Sequence, residues 1–382
     1  MRVLVVHNIL WSHYKAALFS ELARQCPPQS AFLVLQMAES ESKYQQLGKA
    51  GAITHDYPYE LLHEGPLHTL PLSKKIPGLL RAIRRFKPDV VNLSGYYDPA
   101  YWVVMMYCRL RGIALVLSNE SSEKDGARAG VKERIKEYII RQFDGFINFG
   151  SSSAQYALRL GAQPRQILTQ HAAVVNEKVI RSVYSEAYAQ REDLRQQQGL
   201  TQHQFVFVGR LAEEKNLPTL LNAFAWLKTN EPQARNWELL IVGDGPMRSQ
   251  VENREGVRWM GGQPWDRIPA YLALADALIL PSYFEPWGLV VNEAMVCGLP
   301  VLVSSQCGCV NDLVEEGKNG YTFDPCNQRE LASLMQSFVQ QSDADRTRMG
   351  QHSLHLIAPF NITRVAKEIW QGYQRILSAA NS

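Results

Sequence analysis

The sequence predicts an α/β protein with two doubly wound parallel sheets that follow one another along its 382 residues. Short β-branched runs alternate with amphipathic segments from the first residues, and this alternation favours parallel strands covered by helices on both faces. The alternation pauses over residues 181–203, a polar and glutamine-rich stretch, and then restarts. At about 150 residues per domain, the length corresponds to two or three domains.

The first half of the chain holds strand and helix patterns in alternation. The predicted strands are Val3–Val6, Phe32–Leu35, Val90–Leu93, Ala114–Leu117 and Phe146–Phe149. The predicted helices are Lys15–Arg24, Ile76–Phe86, Ala100–Leu110 and Val131–Phe143. We therefore expect a first domain over residues 1–172, followed by a linker and one helix over residues 173–204.

The second half repeats the alternation and predicts a second domain over residues 205–360. Its predicted strands are FVFVG from Phe205, Leu239–Val242, Val257–Met260, Ala277–Leu280 and Val301–Ser304. Its predicted helices are Leu217–Leu227, Ile268–Ala275 and Leu289–Val296, and a last amphipathic helix occupies 361–382. Because ligands of open parallel sheets bind beyond the carboxyl ends of the strands, we expect the two domains to face one another across a cleft.

Composition and charge exclude several classes of protein. Hydrophobic residues make up 46% of the chain and charged residues 20%, which excludes intrinsic disorder, collagen and disulfide-rich scaffolds. The formal net charge of +3 is too small for a dedicated nucleic-acid-binding protein. The six cysteines are scattered without a C-x-x-C pair, and no signal-peptide cleavage site or membrane-spanning stretch is visible. We therefore expect a cytoplasmic protein with reduced thiols.

The charge is distributed unevenly between the two halves. Residues 1–180 hold 22 Lys and Arg against 15 Asp and Glu, whereas residues 181–382 hold 18 against 22. The basic excess is concentrated in residues 73–87, with the cations Lys74, Lys75, Arg81, Arg84, Arg85 and Lys87. Two interpretations remain open. Either this helix lies on anionic lipid at the inner face of the membrane, or its apolar residues pack on the sheet and its cations are solvated.

Two motifs follow the first two strand patterns of the second half. In the stretch from Gly209 to Asn216, Arg210 and Lys215 bracket a loop that leads into a helix, where two cations suit a diphosphate. Solvated surface cations are the alternative. The second motif, Gly243-Asp244-Gly245-Pro246, has Arg248 where a dinucleotide-binding fingerprint needs a third glycine. A tight turn whose proline starts a helix is the better interpretation.

A third motif carries two carboxylates at one strand–helix junction. Glu285 follows the predicted strand Ala277–Leu280, and Glu293 lies eight residues further on among apolar neighbours. Carboxylates are rarely buried without a partner, so the pair suggests acceptors for ribose and sugar hydroxyls. The backbone N–H groups around Gly288, Leu289 and Val290 are available for phosphate oxygens. A structural salt bridge at Glu293 is the alternative.

With these residues the chain resembles the GT-B glycosyltransferases, specifically the large retaining family 4 (glycosyl transferases group 1). The matching stretches are FVGRLAEEKN, LLIVGDGP, ADALILPSYFEPWGLVVNEAMVCGLPVL and EEGKNGYTFDP, which cover most of residues 205–326. The resemblance implies two Rossmann-like domains, the second binding a nucleotide-diphosphate sugar and the first facing the acceptor. It also implies that the helix over 361–382 crosses back to pack on the first domain.

The same resemblance implies roles for individual residues. Arg210 and Lys215 would hold the diphosphate, Glu293 the ribose hydroxyls, and Glu285 would lie beside the transferred sugar. The remaining donor-binding candidates are Gly209, Asp244, Gly245, Gly288, Leu289 and Val290. Transfer of a hexosyl-type sugar would retain the anomeric configuration without a metal or cofactor. The acceptor would be a hydroxyl of a glycan, a glycolipid or a small molecule in polysaccharide or glycoconjugate biosynthesis.

The first half departs from the family pattern at the acceptor side. Many relatives carry a glycine pair after the first strand, whereas residues 7–15 here contain no glycine, so His13 and Lys15 are acceptor-side candidates. Glu120, after the strand Ala114–Leu117, is a candidate catalytic carboxylate, with helix capping or simple solvation as the alternative. His7, His13 and His171 are each more typical of structural or surface histidines.

Rival functions remain to be separated. A nucleotide-cofactor oxidoreductase is disfavoured because no G-x-G-x-x-G follows the first strand. A GT-B-like sugar-nucleotide epimerase and a non-catalytic sugar-nucleotide-binding protein stay open. The Asp343-Ala344-Asp345 triplet lies in a polar stretch between two helical patterns, which favours helix capping over metal binding.

Overall fold

The computed structural model describes residues 1–41, 53–120 and 131–380 of the chain. These residues divide into two compact units. The first unit comprises the described residues up to Val175 together with the C-terminal segment from Pro359, and the second comprises Asn176–Ala358. Each unit is built on its own parallel sheet.

The sheet of the first unit has seven parallel strands among its described residues, in the order β3-β2-β1-β4-β5-β6-β7. The strands are β1 Arg2–Ile9, β2 Ala31–Ala38, β3 Tyr59–Leu61, β4 Val90–Leu93, β5 Ala114–Asn119, β6 Gly145–Asn148 and β7 Ile167–Thr169. Central strands such as β4 are buried on both faces, which explains their continuous apolar sequences.

Five helices of the first unit follow these strands within the described part of the chain. They are α1 His13–Arg24, α2 Leu72–Phe86, α3 Pro99–Leu110, α4 Val131–Ile140 and α5 Ser151–Arg159. Local sequence explains how α3 begins, because the Asp98 carboxylate accepts the N–H of Ala100 at 2.9 Å and proline occupies the first helical position. Leu79 and Ile83 of α2 are fully buried in the core of this unit.

The second unit has a six-stranded parallel sheet in the order β10-β9-β8-β11-β12-β13. Its strands are β8 His203–Val208, β9 Trp237–Val242, β10 Val257–Trp259, β11 Ala277–Leu280, β12 Val301–Ser304 and β13 Gly320–Phe323. Its helices are α6 Glu177–Ala189, α7 Arg191–Gln197, α8 Leu217–Asn230, α9 Ile268–Leu274, α10 Leu289–Val296, α11 Val310–Leu313, α12 Gln328–Val339 and α13 Asp343–Ile357.

The final helix, α14 Ile362–Ala380, packs on the first unit against α1 and β7. The indole N–H of Trp370 donates to the backbone oxygen of Leu22 at 2.9 Å, and the Tyr373 hydroxyl accepts the amide of Asn92 at 3.0 Å. The chain therefore returns to its first unit at its C-terminus, as the family resemblance implies.

The segment expected to be a linker with one helix differs from that expectation. It forms two helices, α6 and α7, and both belong to the second unit, where α6 packs on α9 and α10. Arg191 and Arg195 of α7 bind the carboxylate of Asp276 at 2.9 and 3.2 Å. The polar residues of this segment thus find a partner about eighty positions away, which a local pattern cannot show.

Three short edge strands were not predicted. β3, β7 and β13 are incompletely buried, and their sequences YEL, ILT and GYTF mix polar with apolar residues, so no continuous apolar run marks them. Among the described residues, no helix combines the length and apolar character that crossing a bilayer requires.

Candidate active site

The predicted motifs of the second unit follow three neighbouring strands. The sheet order β9-β8-β11 places the carboxyl ends of these strands side by side. The loop after β8 carries Arg210 and Lys215, the loop after β9 carries Asp244, and the loop after β11 carries Glu285. Ligands of open parallel sheets bind at this edge.

The loops after β8 and β9 pack backbone against backbone. A Cβ at Gly243 would lie 1.9 Å from the oxygen of Gly209, and one at Gly245 would lie 2.6 Å from the oxygen of Leu211. The N–H of Leu211 also donates to the oxygen of Asp244 at 2.9 Å. Only glycine permits so close an approach. The glycine pair therefore joins the two loops.

The turn after β9 differs from its prediction in one respect. Pro246 lies in a turn, and the next element is a short 3-10 helix, Arg248–Gln250, so this proline does not start an α-helix. Asp244 is exposed, and its carboxylate accepts the N–H of Gly245 at 2.7 Å. The remaining carboxylate oxygen of Asp244 thus stays on the surface of the turn.

Both cations of the first motif are paired with carboxylates. Arg210, 40% exposed, donates to Glu214, and the ammonium of Lys215 donates to the carboxylate of Glu285. Lys215 and Glu285 have side chains only 18% and 17% exposed. The interpretation as freely solvated cations is therefore wrong for Lys215, whose charge is held at the end of β11.

Asn216 anchors the loop that carries Lys215, and this residue was not predicted from the sequence. It is fully buried in the left-handed conformation (φ +53°) directly before α8. Its amide donates to the oxygens of Pro281 and Pro325 at 3.1 and 2.7 Å, which ties this loop to the segments that follow β11 and β13. An asparagine directly before a helix whose second residue is proline is the signal that could have revealed it.

The loop after β11 is held by the segment between β12 and α11. The N–H of Gly308 donates to the backbone oxygen of Glu285 at 2.9 Å, and a Cβ at Gly308 would lie 1.9 Å from the oxygen of Pro286. The indole N–H of Trp287 donates to Asn292 at 2.8 Å in a buried contact. These contacts fix the backbone on both sides of the Glu285 side chain.

Gly288 begins α10 in the left-handed conformation at φ +98°. A Cβ there would lie 2.9 Å from Leu280, so the position strongly disfavours other residues. Leu289 and Val290 are the first two residues of α10, and the N–H groups of a first helical turn have no acceptor within the helix. Together with the helix dipole they make this end of α10 attractive to an anion.

Glu293 lies one turn into α10 without a compensating charge. Burial raises the pKa of its carboxyl from 4.5 to about 7. Within the described residues, no cation forms an ion pair with it and no donor bonds to its side chain. The structural salt bridge considered as an alternative is therefore wrong. Glu293 is partly buried, and its carboxylate without partners is available as an acceptor for a ligand.

In the first unit, the structure brings Lys15 and Glu120 together. The ammonium of Lys15 lies 2.9 Å from the Glu120 carboxylate and 4.6 Å from the centre of the Phe149 ring. The Lys15 side chain is only 7% exposed, whereas Glu120 is 45% exposed. The helix-capping alternative for Glu120 concerns residues 121–130, which lie outside the described residues.

The three histidines have separate surroundings. Burial lowers the pKa of His7 and of His13 to about 4. His7 Nδ1 lies 3.0 Å from the amide oxygen of Gln36 inside the core. His171 packs its ring edge-on against Phe360 and lies 3.7 Å from Glu368. His7 and His171 thus serve packing, whereas His13 begins α1 next to the first loop.

The first loop is held to the neighbouring strand by its backbone. The N–H groups of Leu10 and Trp11 donate to the oxygens of Ala38 and Glu39 at 2.9 and 3.2 Å. The loop contains no glycine. Its backbone runs alongside the end of β2, and the next side chains along the chain are those of α1.

The structure of the basic helix α2 shows that one of its predicted cations, Lys75, is not available for lipid. Lys75 is buried and its ammonium pairs with Asp98, so it is wrong as a lipid-facing cation. Leu79 and Ile83 pack in the core of the first unit, which agrees with the interpretation that the apolar residues of this helix pack on the sheet. The other predicted cations, Lys74, Arg81, Arg84, Arg85 and Lys87, are exposed.

The Asp343-Ala344-Asp345 triplet lies in the first turn of α13. Ser342 provides the cap, because its hydroxyl accepts the N–H of Asp345 at 3.2 Å. The two aspartates pair with Arg346 and Arg348. Over the described ranges, no group of three or more His, Cys, Asp or Glu residues is arranged to hold a metal ion. The triplet lies at the start of a helix, as predicted, but the capping residue is Ser342 and not one of its aspartates.

Comparison with known proteins agrees with this architecture. The family model "Glycosyl transferases group 1" matches residues 190–354. The chain is 30% identical over 346 residues to the D-inositol 3-phosphate glycosyltransferase of Corynebacterium efficiens, covering 84% of this chain and 80% of the relative. It is 28% identical over 321 residues to the alpha-D-kanosaminyltransferase of Streptomyces kanamyceticus, covering 78% and 81%.

Solved structures share the fold over nearly the whole chain. The sucrose-phosphate synthase of Thermosynechococcus elongatus has a TM-score of 0.73 at 18% identity and covers 99% of this chain and 100% of its own. Anabaena Alr3699/HepE in complex with UDP and glucose has a TM-score of 0.68 at 17% identity, covering 97% and 98%. The chain has the GT-B fold and belongs to the glycosyl transferases group 1.

Proposed function

We propose that the protein is a retaining, metal-independent glycosyltransferase of family 4. It moves a hexosyl-type sugar from a nucleotide-diphosphate sugar to a hydroxyl of a glycan, a glycolipid or a small molecule. The observation that carries this proposal is the Lys215–Glu285 pair beside the start of α10, together with the unpaired Glu293 in the same helix. Alr3699/HepE was solved with UDP, which makes UDP-sugars the first donors to examine.

The cations of the loop after β8 receive the diphosphate. Lys215 and Arg210 are each matched by a carboxylate, and an incoming diphosphate competes for both ammonium and guanidinium groups. The N–H groups of Leu289 and Val290 add donors at the positive end of α10. Gly209, Gly245 and Asp244 form the joined loops that border this position.

Glu293 receives the ribose hydroxyls. Each hydroxyl donates to the carboxylate, which satisfies a group that burial leaves without partners. The charged form of Glu293 is the stronger acceptor, so donor binding favours ionisation of this side chain. A neutral carboxyl at low pH accepts less strongly, and this makes donor affinity depend on pH.

The chemical step follows from the same residues. The bond between the anomeric carbon and the diphosphate oxygen breaks, the acceptor oxygen bonds to that carbon on the same face, and the acceptor proton passes to the departing phosphate. Lys215 and Arg210 stabilise the negative charge that develops on the leaving group, which is the usual task of a metal in other transferases. Glu285 accepts hydroxyls of the transferred sugar and fixes its orientation.

The donor assay tests this function. A panel of ADP-, GDP-, UDP- and dTDP-sugars is screened for a rise in melting temperature, since a ligand at 100 times its Kd stabilises by about 2.7 kcal/mol. The stabilising donor is then incubated with EDTA and D-inositol 3-phosphate, an oligosaccharide or a glycolipid. We expect transfer with the donor's anomeric configuration. An epimerised or hydrolysed donor without acceptor indicates an epimerase, and tight binding without any product indicates a binding protein.

The acceptor side is proposed to include Glu120, with Lys15 and His13 beside it. We expect Glu120→Gln to lower the transfer rate by at least about tenfold while the Kd for the donor stays unchanged. The reason is that the variant keeps the shape of the side chain but removes the charge that faces Lys15. Initial rates and donor titration by calorimetry measure the two quantities separately.

Glu64→Gln provides the matched control, because Glu64 is an exposed glutamate of the same unit. Transfer by Glu120→Gln at the rate of this control removes Glu120 from the acceptor site.

We further propose a peripheral position at the inner face of the cytoplasmic membrane. The exposed cations of α2 attract anionic lipid, and the buried Lys75 does not take part. Such a position suits an enzyme whose acceptor is carried by lipid during polysaccharide or glycoconjugate synthesis.

A further inference from the structure

Helix α3 displays an apolar stripe on its exposed face. Trp102, Met106 and Leu110 are 50%, 62% and 79% exposed. Their spacing of four residues places them one above another on a single face of the helix. A row of large apolar side chains on the surface of a unit is unusual and marks a contact with another molecule or with a membrane.

The stripe adjoins the basic helix α2. The guanidinium of Arg84 lies 5.5 Å from the centre of the Tyr107 ring on α3, and Arg111 lies 5.7 Å from the same ring. α2 and α3 pack on one another. The apolar side chains of one helix and the cations of the other therefore share one surface, here called the α2–α3 surface.

A depression on α2 belongs to this surface. Its volume is about 590 Å³, and it is lined by Ile76, Pro77, Leu80, Arg81, Arg84 and Arg85. Arginine binds phosphate oxygens with its planar fork of N–H groups, and the apolar lining suits the carbon atoms next to a phosphate ester. The depression has the chemistry of a phospholipid headgroup site.

The charge around the stripe is strongly positive. Arg85 pairs with Glu60 and Arg109 with Asp144. Other cations of the surface have no described carboxylate within ion-pair distance; they are Lys74, Arg81, Arg84, Lys87 and Arg111. Two copies of the chain placed face to face would bring these cations together, so the charge disfavours self-association through this surface.

We propose that the α2–α3 surface docks on an anionic phospholipid bilayer, with the α3 stripe in the lipid interface and a phosphate headgroup in the arginine-lined depression. This deepens the membrane contact proposed above. It assigns insertion to α3, whereas α2 supplies the charge. The docking requires neither donor nor acceptor, so it can be tested independently of the transfer reaction.

Vesicle flotation tests the docking with the full chain. The protein is mixed with phosphatidylcholine vesicles, with or without phosphatidylglycerol, at low and high salt. We expect the protein to float with the anionic vesicles alone and to dissociate as salt screens the charges. Absence from anionic vesicles at low salt overturns the proposal.

Two variants separate the apolar and the electrostatic contributions. Met106→Gln with Leu110→Gln shortens the stripe with residues that favour helix, and Trp102 is kept because its indole N–H donates to the oxygen of Tyr96 at 2.7 Å. We expect a loss of at least about tenfold in vesicle affinity. Lys74→Gln, Arg81→Gln and Lys87→Gln together are expected to cost about a hundredfold.

The controls make the same changes elsewhere. Leu354→Gln alters an exposed leucine of the second unit, and Lys178→Gln, Arg329→Gln and Lys367→Gln remove three exposed cations outside the surface. Both controls should float like the unchanged protein. Equal loss in variants and controls contradicts the proposal, as does a concentration-dependent dimer that the stripe variant abolishes while vesicle affinity stays unchanged.

Discussion

Replacing Glu293 by glutamine should stabilise the free protein and weaken its binding of the donor. Burial raises the pKa of this carboxyl to about 7, so the folded state holds its proton more tightly than the unfolded chain, whose carboxyl has a pKa of 4.5. Below pH 4.5 both states are protonated, and wild type and variant should be equally stable. As pH rises from 4.5 to 7, the wild type alone loses stability, because it must ionise a buried group.

At pH 8 the difference should reach about 3 kcal/mol in the free energy of unfolding, in favour of Glu293→Gln. Chemical denaturation at pH 4 and pH 8 measures it. Glu186→Gln, an exposed position on α6, is the control and should change nothing at either pH. A variant that is less stable than wild type at pH 8 would show that the Glu293 carboxylate supports the fold.

The same substitution should lower donor affinity by about tenfold to a hundredfold, which is the usual effect of losing hydrogen bonds to a charged group. In the wild type, the affinity should rise with pH through about 7, since the ionised carboxylate is the better acceptor for ribose hydroxyls. Calorimetric titration with UDP at several pH values measures this. In Glu293→Gln the rise should disappear, whereas an unchanged pH profile would assign it to another group.

Breaking the Lys215–Glu285 pair is the second substitution with a large expected effect. Lys215→Met keeps the length of the side chain but removes the charge that stabilises the departing diphosphate. We expect the transfer rate to fall by about a thousandfold. Glu285→Gln should lower it as well, and the double variant should be little worse than Lys215→Met, because the two residues act as one unit.

Lys318→Met is a suitable control, since Lys318 also pairs with a glutamate, Glu315, in the second unit but is 66% exposed. Transfer rates at saturating donor, compared with the donor Kd, separate a catalytic effect from a binding effect. Additive losses in the double variant would show that Lys215 and Glu285 serve independent steps, and an unchanged rate in Lys215→Met would exclude it from catalysis.

Much of the fold could be predicted because parallel strands covered on both faces have continuous apolar sequences. The strands β4, β11 and β12 coincide with their predicted limits, as does α10. The strands β3, β7 and β13 escaped prediction because they are incompletely buried and their sequences mix polar and apolar residues, so they lack the continuous apolar run of β4. Residues 177–197 form two helices where one was predicted, because Arg191 and Arg195 of α7 pair with the distant Asp276, a contact that no local pattern shows.

The residues of the candidate site could be predicted from the sequence, but the contacts between them could not. Arg210, Lys215, Glu285 and Glu293 follow strands, and that is visible in the sequence. The pairing of Lys215 with Glu285 joins residues seventy positions apart and depends on β8 and β11 being neighbours. Likewise, the sequence does not show why glycine is needed at position 243. In the structure, the loop after β8 packs too closely against it for a Cβ.

The sequence by itself determined the class of sheet, the order of most elements and the residue types that can meet a diphosphate and hydroxyl groups. These depend on short-range periodicity and on chemistry carried by single side chains. Tertiary structure decided which charges are paired and which are not. It placed Lys75 and Lys15 beside carboxylates and left Glu293 without a partner. Electrostatic environment is set by neighbours that are distant along the chain, so only the folded arrangement of strands could reveal it.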